Sequence, residues 1–100
     1  MSPSFTVGTI NAQAPGRGYV GTTSEIIVPE TIDRVGLTVV NTSTQTIYLG
    51  INNTATLSAG IVLTGSGGAW SMDEYSFTNQ AITAIAHAAT ITVAFQQFIR

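Results

Sequence analysis

His87 is the chain's single histidine and its one side chain set to change charge near neutral pH. A hydrolase built around it would need a serine and a carboxylate to converge on the imidazole. Asp33, Ser71, Asp73, Ser76 and His87 occur in an order that permits such a triad, as in almost any chain of this length. No Gly-x-Ser-x-Gly elbow accompanies them. His87 ends a strand-like stretch and reads as a rim residue. Asp73-Glu74 is the adjacent carboxylate pair, but neighbours on a strand point to opposite faces and cannot jointly clamp a proton or ion. With Glu30 and Asp33 they fall short of the six to eight oxygens that calcium takes, and no Asp-x-Asp-x-Asp loop is present. They read as solvated rim carboxylates or partners for Arg34. Gly65-Ser66-Gly67-Gly68 lacks the Lys-Ser/Thr of a phosphate loop and reads as a turn. There is no cysteine, which excludes disulfides, thiol catalysis and thiolate metal sites. No catalytic, cofactor-binding or metal-ligating residue is expected, and no cofactor.

The composition agrees with that. One hundred residues make one domain, with 44% hydrophobic residues and only 8% charged, against about 25% in an ordinary globular protein. Lysine is absent. Arg17, Arg34 and Arg100 face Glu25, Glu30, Asp33, Asp73 and Glu74, for a net charge of −2. Without a cationic cluster the chain is not expected to bind nucleic acid. The longest apolar run, Ile26-Ile27-Val28-Pro29, is far too short for a membrane-spanning helix. Residues 1–25 show no cationic start followed by an apolar stretch, so no secretory signal is expected. Charge is replaced by 16 threonines, eight serines, five asparagines and five glutamines, with ten glycines. Threonine suits strands, and glycine and asparagine suit turns. A surface this poor in charge also suits permanent contacts, where unpaired ions would be costly to bury.

Asn41-Thr42-Ser43 and Asn52-Asn53-Thr54 match the glycosylation acceptor pattern, which arises by chance in a chain this rich in threonine and asparagine. Trp70, Tyr75 and Phe77 are candidates for a sugar-stacking platform, with core packing or subunit contact as the ordinary alternative.

The elements that would position these residues are strands. Residues 1–24 read as an arm: Pro3, Pro15 and four glycines surround one short alternating piece, Phe5-Thr6-Val7-Gly8-Thr9-Ile10. Phe5, Val7 and Ile10 give the arm something to bury on a neighbour. Residues 25–100 form the domain, starting with a core strand at Glu25-Ile26-Ile27-Val28 that Pro29 ends. Val35, Leu37 and Val39 alternate on one stretch and Ile47, Leu49 and Ile51 on the next. Thr42-Ser43-Thr44-Gln45 lies between, so the pattern predicts an antiparallel hairpin from Val35 to Asn52. Ile61-Val62-Leu63-Thr64 is a short strand, and another starts at Trp70 and runs toward Tyr75 and Phe77. Ala81 to His87 has good helix formers, yet its length, Thr83 and two isoleucines favour a strand. The last strand turns Ile91, Val93, Phe95 and Ile99 one way. Phe98 then faces opposite Phe95, exposed on a monomer or covered by a partner. The expected fold is all-β, a small antiparallel β-sandwich or barrel, jelly-roll-like, with an extended N-terminal arm.

Arg34-Val35-Gly36-Leu37-Thr38-Val39-Val40-Asn41, followed by Ile47-Tyr48-Leu49-Gly50-Ile51, Ala59-Gly60-Ile61-Val62-Leu63 and Ala84-Ile85-Ala86, resembles small β-sandwich virion proteins of tailed bacteriophages. These include capsid decoration (cement) proteins and head- or tail-fibre modules. The resemblance covers residues 25–99, rests on hydrophobic spacing and turn residues, and leaves out the arm. It implies a non-enzymatic structural protein on the phage head surface that bridges capsid subunits. Its partners would be the major capsid protein and itself, as a homotrimer, with no nucleic acid and no membrane. The alternative is a fibre or tail-associated module that binds a receptor or carbohydrate. Phe5, Val7, Ile10, Tyr48 and Phe98 are the expected interface residues.

Overall fold

The computed structural model of the protein describes residues 10–72, 78–88 and 91–100. Nine strands are assigned there: β1 (Asn11–Ala12), β2 (Gly16–Val20), β3 (Glu25–Val28), β4 (Arg34–Asn41), β5 (Ile47–Ile51), β6 (Ile61–Leu63), β7 (Ala69–Met72), β8 (Ile82–Ala86) and β9 (Ile91–Ile99). They form two antiparallel sheets. In the first, β9 pairs with both β1 and β2 on one side and with β4 on the other, and β4 pairs with β7. The second runs β3-β8-β5-β6. The fold is thus an all-β sandwich, and its strand order is that of a jelly roll.

The core lies between the sheets and follows from period-2 alternation. Val20, Leu37, Val39, Met72, Ile91 and Val93 face it from the first sheet, and Val28, Ile47, Leu49, Leu63, Ile82 and Ala84 from the second. Each fully buried Val, Leu or Ile contributes about 1.5–3 kcal/mol relative to exposure. β3 spans the expected Glu25–Val28, and the ambiguous Ala81–His87 stretch is a strand. The expected run of the Trp70 strand toward Tyr75 and Phe77 falls partly outside the described residues.

Two expectations differ from the structure. The segments Val35–Asn41 and Ile47–Ile51 are strands with the expected inward faces, but they do not pair as a hairpin. β4 lies between β9 and β7, whereas β5 lies between β8 and β6 in the other sheet. Residues 42–45 therefore cross from one sheet to the other. Alternation reports which face is buried and not which strand is adjacent, and in a sandwich two strands from opposite sheets show the same pattern. The second difference is the domain boundary. Residues 11–20 were expected in the arm, yet β1 and β2 pair with β9 from Asn11↔Ile99 to Val20↔Ile91, and Val20 is a core residue at 1% exposure. Two of the glycines that suggested an arm, Gly16 and Gly18, serve close packing instead. A Cβ on Gly16 would lie 2.5 Å from the Phe95 ring, and one on Gly18 would press on Val93 and Ile27. Removing residues 1–22 would thus remove part of the sandwich. Residues 1–9 of the expected arm lie outside the described residues.

Candidate interaction surfaces

The polar side chains that the fold gathers are buried at the two ends of β4. At one end Arg34, with no exposed surface, donates from Nε to Gln97 Oε1 at 2.7 Å. Its Nη1 donates to the Thr78 and Gln80 carbonyls at 3.2 and 2.7 Å, and its Nη2 to the Pro29 carbonyl at 2.6 Å. The guanidinium fork ties β9 and the segments around residues 29 and 78–80 together. Desolvation by burial holds its pKa below the usual arginine value. Among the described residues its acceptors are an amide oxygen and carbonyls, while Asp73 and Glu74, two of the carboxylate partners that the sequence suggested, lie outside them.

At the other end Asn41 is equally buried. Its Nδ2 donates to the carbonyls of Gln45, Leu63 and Thr64, and its Oδ1 accepts from the Ser43 amide at 2.9 Å and the Ser43 hydroxyl at 2.7 Å. Its backbone pairs with Gly67 and Gly68. Two sheet-to-sheet crossings, residues 42–45 and 64–68, are thereby fastened to one side chain. The Gly65–Gly68 stretch is the expected turn. Gly67 sits at φ 107°, and a Cβ on Gly65 would overlap the Thr44 backbone. Thr83 Oγ1 does similar work on the second sheet, donating to the Gly50 and Asn53 carbonyls at 3.2 and 2.6 Å.

Among the described residues, the expected chemistry-bearing side chains are not brought together. His87 is exposed and stands edge-on to Tyr48, with ring centroids 6.0 Å apart at 84°. Glu25, Glu30 and Asp33 are exposed, and Asp73 and Glu74 lie outside the described residues. Among the described residues, no three His, Cys, Asp or Glu side chains gather to hold a metal. Burial of Asn41 removes the first glycosylation pattern, while Asn52 is exposed in a loop at φ 53°. Trp70 is packed partly against the core, and Tyr75 and Phe77 lie outside the described residues.

What remains on the outside is broad, sparsely charged and partly apolar, with Arg17 opposite Ala94 on the first sheet and Glu25 on β3 of the second. On the outer face of the second sheet, Val62, Tyr48 and Ile85 form a cross-strand row, with Val62 51% exposed and Ile26 62% exposed beside it. On the first sheet, Phe98 lies half-buried over Gly36, near Val40 and Ala94. These residues and Pro15, Gly16, Thr38, Phe95 and Gln96 line a groove of about 350 Å³. Of the expected interface residues, Tyr48 and Phe98 therefore sit on opposite outer faces. Ile10 is exposed where the chain leaves β1, and Phe5 and Val7 lie outside the described residues. Sequence reasoning missed the groove and the roles of Arg34 and Asn41. The available signal was a lone cation and a lone amide bracketing an apolar strand.

No family model matches the sequence, and no curated protein matches it. Among solved structures, the chain is similar to one from Bacillus endospore appendages, which form a novel family of disulfide-linked pili. The similarity spans 99% of this chain and 95% of that one, at 19% identity and a TM-score of 0.47. So loose a likeness says nothing about this chain's partners, and this chain has no cysteine with which to form such a link.

Proposed function

We propose that this protein is a non-enzymatic structural subunit that works by lasting contact with other protein surfaces, specifically as a decoration protein on the head of a tailed bacteriophage. The observation that carries the reading is the division of labour across the molecule. Its described buried polar side chains, Arg34, Asn41 and Thr83, hold the fold together, while sparsely charged, partly apolar outer faces remain for contact. Such faces can be covered without stranding ions. A partner contact of ordinary size takes ~800 Å² from each side. Repeated over many copies, modest contacts reinforce a shell, because each bridging copy must release before the shell subunits part. The phage assignment itself rests on the sequence resemblance over residues 25–99.

The test is to prepare particles lacking the protein and measure genome release on heating and osmotic shock. Earlier release, reversed by adding the protein back, is expected. Particles of unchanged stability that no longer attach to cells would replace this reading with a fibre or receptor-binding module.

A further inference from the structure

The groove on the first sheet and the segment preceding Ile10 suit one another. Upstream of Ala12, the β1 register runs Ala12↔Phe98, then Asn11↔Ile99. The chain ahead of Asn11 is thus carried past the end of β9, away from the groove at residues 94–98. Reaching its own groove would demand a full reversal immediately before Ile10. The nine residues in front of Ile10 span up to ~30 Å when extended, enough to reach a neighbouring molecule. They bear no charged side chain, and Phe5 and Val7 alternate with polar residues. The groove likewise has no charged lining residue, and its walls are Val40, Ala94, Phe95 and Phe98 with Pro15 and Gly16. The sheet edge is interrupted there, because residues 14–15 make no ladder pair between β1 and β2. Phe95, whose cross-strand partner Val39 faces the core, also lines the groove beside Gly16.

We infer that residues 5–10 of one copy occupy this groove in a second copy. The inference rests on the assembly reading above and specifies one of its contacts. Because donor segment and acceptor groove are different surfaces, the contact generates rings or open chains, or a closed pair where two copies exchange segments reciprocally. Apolar side chains in the groove supply the affinity, and the uncharged backbone of the segment permits it to be covered.

The test uses the full chain. A donor variant, Phe5→Glu with Val7→Glu, and an acceptor variant, Ala94→Glu, are compared with wild type by sedimentation velocity. All the added charges are negative, so none can pair with another on mixing, and Arg17, opposite Ala94, is common to every chain compared. Self-association of wild type is expected, with each variant alone associating at least about tenfold more weakly, the loss of a single contact worth 1.4 kcal/mol. Mixing the two variants should restore association, as 1:1 dimers that grow no further, since only one intact segment and one intact groove meet. A wild-type chain that stays monomeric, variants that associate like wild type, or a mixture that remains monomeric would each overturn the inference. Matching melting temperatures establish that the variants fold. Should Ala94→Glu fail to fold, a second measurement replaces it. Chains carrying Val7→Cys and chains carrying Val40→Cys are mixed under mild oxidation, with Ile32→Cys, on an exposed loop, as the control acceptor. Preferential Val7–Val40 cross-linking supports the inference, and cross-linking no better than the control refutes it. Particles whose stability does not depend on the protein, with self-association intact, would overturn the decoration reading and leave this one standing.

Discussion

Replacing Asn41 by alanine tests whether one amide holds both crossings at its end of the sandwich. Its two Nδ2 protons are shared among the carbonyls of Gln45, Leu63 and Thr64, and its oxygen accepts from the Ser43 amide and hydroxyl. The bond to Leu63 is fully buried, so its orphaned carbonyl costs about 1–3 kcal/mol, while each partly exposed bond is worth about 0.5–1.5 kcal/mol. Taken at their lower ends these terms sum to about 3 kcal/mol, a large part of the ~5–15 kcal/mol that stabilises a typical domain. At ~4–8 °C per kcal/mol for a chain of this size, the melting temperature should fall by roughly 12–24 °C. Urea titration and thermal melting followed by circular dichroism measure both quantities. Asn41→Asp separates hydrogen bonding from shape. It preserves the outline and the bonds from Ser43 but turns an oxygen toward three carbonyls. The folded state should raise that carboxyl's pKa, so stability falls as pH rises above the unfolded value of about 3.9. A loss below about 1 kcal/mol for Asn41→Ala, or an Asn41→Asp protein as stable as wild type at pH 7, would refute the reasoning.

The same logic gives three further expectations. Arg34→Lys keeps the charge but cannot span Gln97, Thr78, Gln80 and Pro29, so it should cost about 2–4 kcal/mol in denaturant titration despite its conservative chemistry. Gly65→Ala should cost about 1–3 kcal/mol because the new methyl meets the Thr44 backbone, whereas Gly21→Ala, where nothing lies within 4 Å, should stay within about 0.5 kcal/mol. Leu37→Asp and Leu49→Asp, at 0% and 1% exposure on opposite sheets, should each leave an unfolded chain by far-ultraviolet dichroism.

Faces were more legible in the sequence than partners. The alternation Leu37-Val39 and Ile47-Leu49 placed those side chains in the core correctly, and Glu25–Val28 emerged with its boundaries intact. The pairing of β4 with β7 and β9 did not, because Thr42-Ser43-Thr44-Gln45 lacks any residue that distinguishes a hairpin loop from a crossing. The distinction is made by Asn41 through Leu63 and Thr64, more than twenty residues away. β2 was illegible for a related reason. Gly16 and Gly18 resemble linker residues until Phe95 and Val93 are seen to need their space. On the surface, Tyr48 and Phe98 were recoverable from alternation alone. The groove beside Phe98 was not, since it depends on how residues 13–15 bend between two pairings with β9.

These features bear on where function can reside. Nearly every connection from β2 to β9 crosses between sheets, with β5–β6 the one direct neighbour pair, so the fold is closed by contacts distant in sequence. Such a chain needs fixed points at the corners, and Arg34 and Asn41 provide them with hydrogen bonds rather than with ion pairs on the surface. Because the stabilising polar groups are drawn inside, the outer faces carry little of the burden of folding. Val62, Ile26 and Tyr48 on one face, and Val40, Ala94 and Phe98 on the other, are free to be matched to another molecule without loss of the core. A charged coat would have kept single copies apart and made each contact costly to dry. Its absence, with two separate apolar faces on opposite sides of one thin sandwich, suits a subunit that must touch more than one neighbour at once.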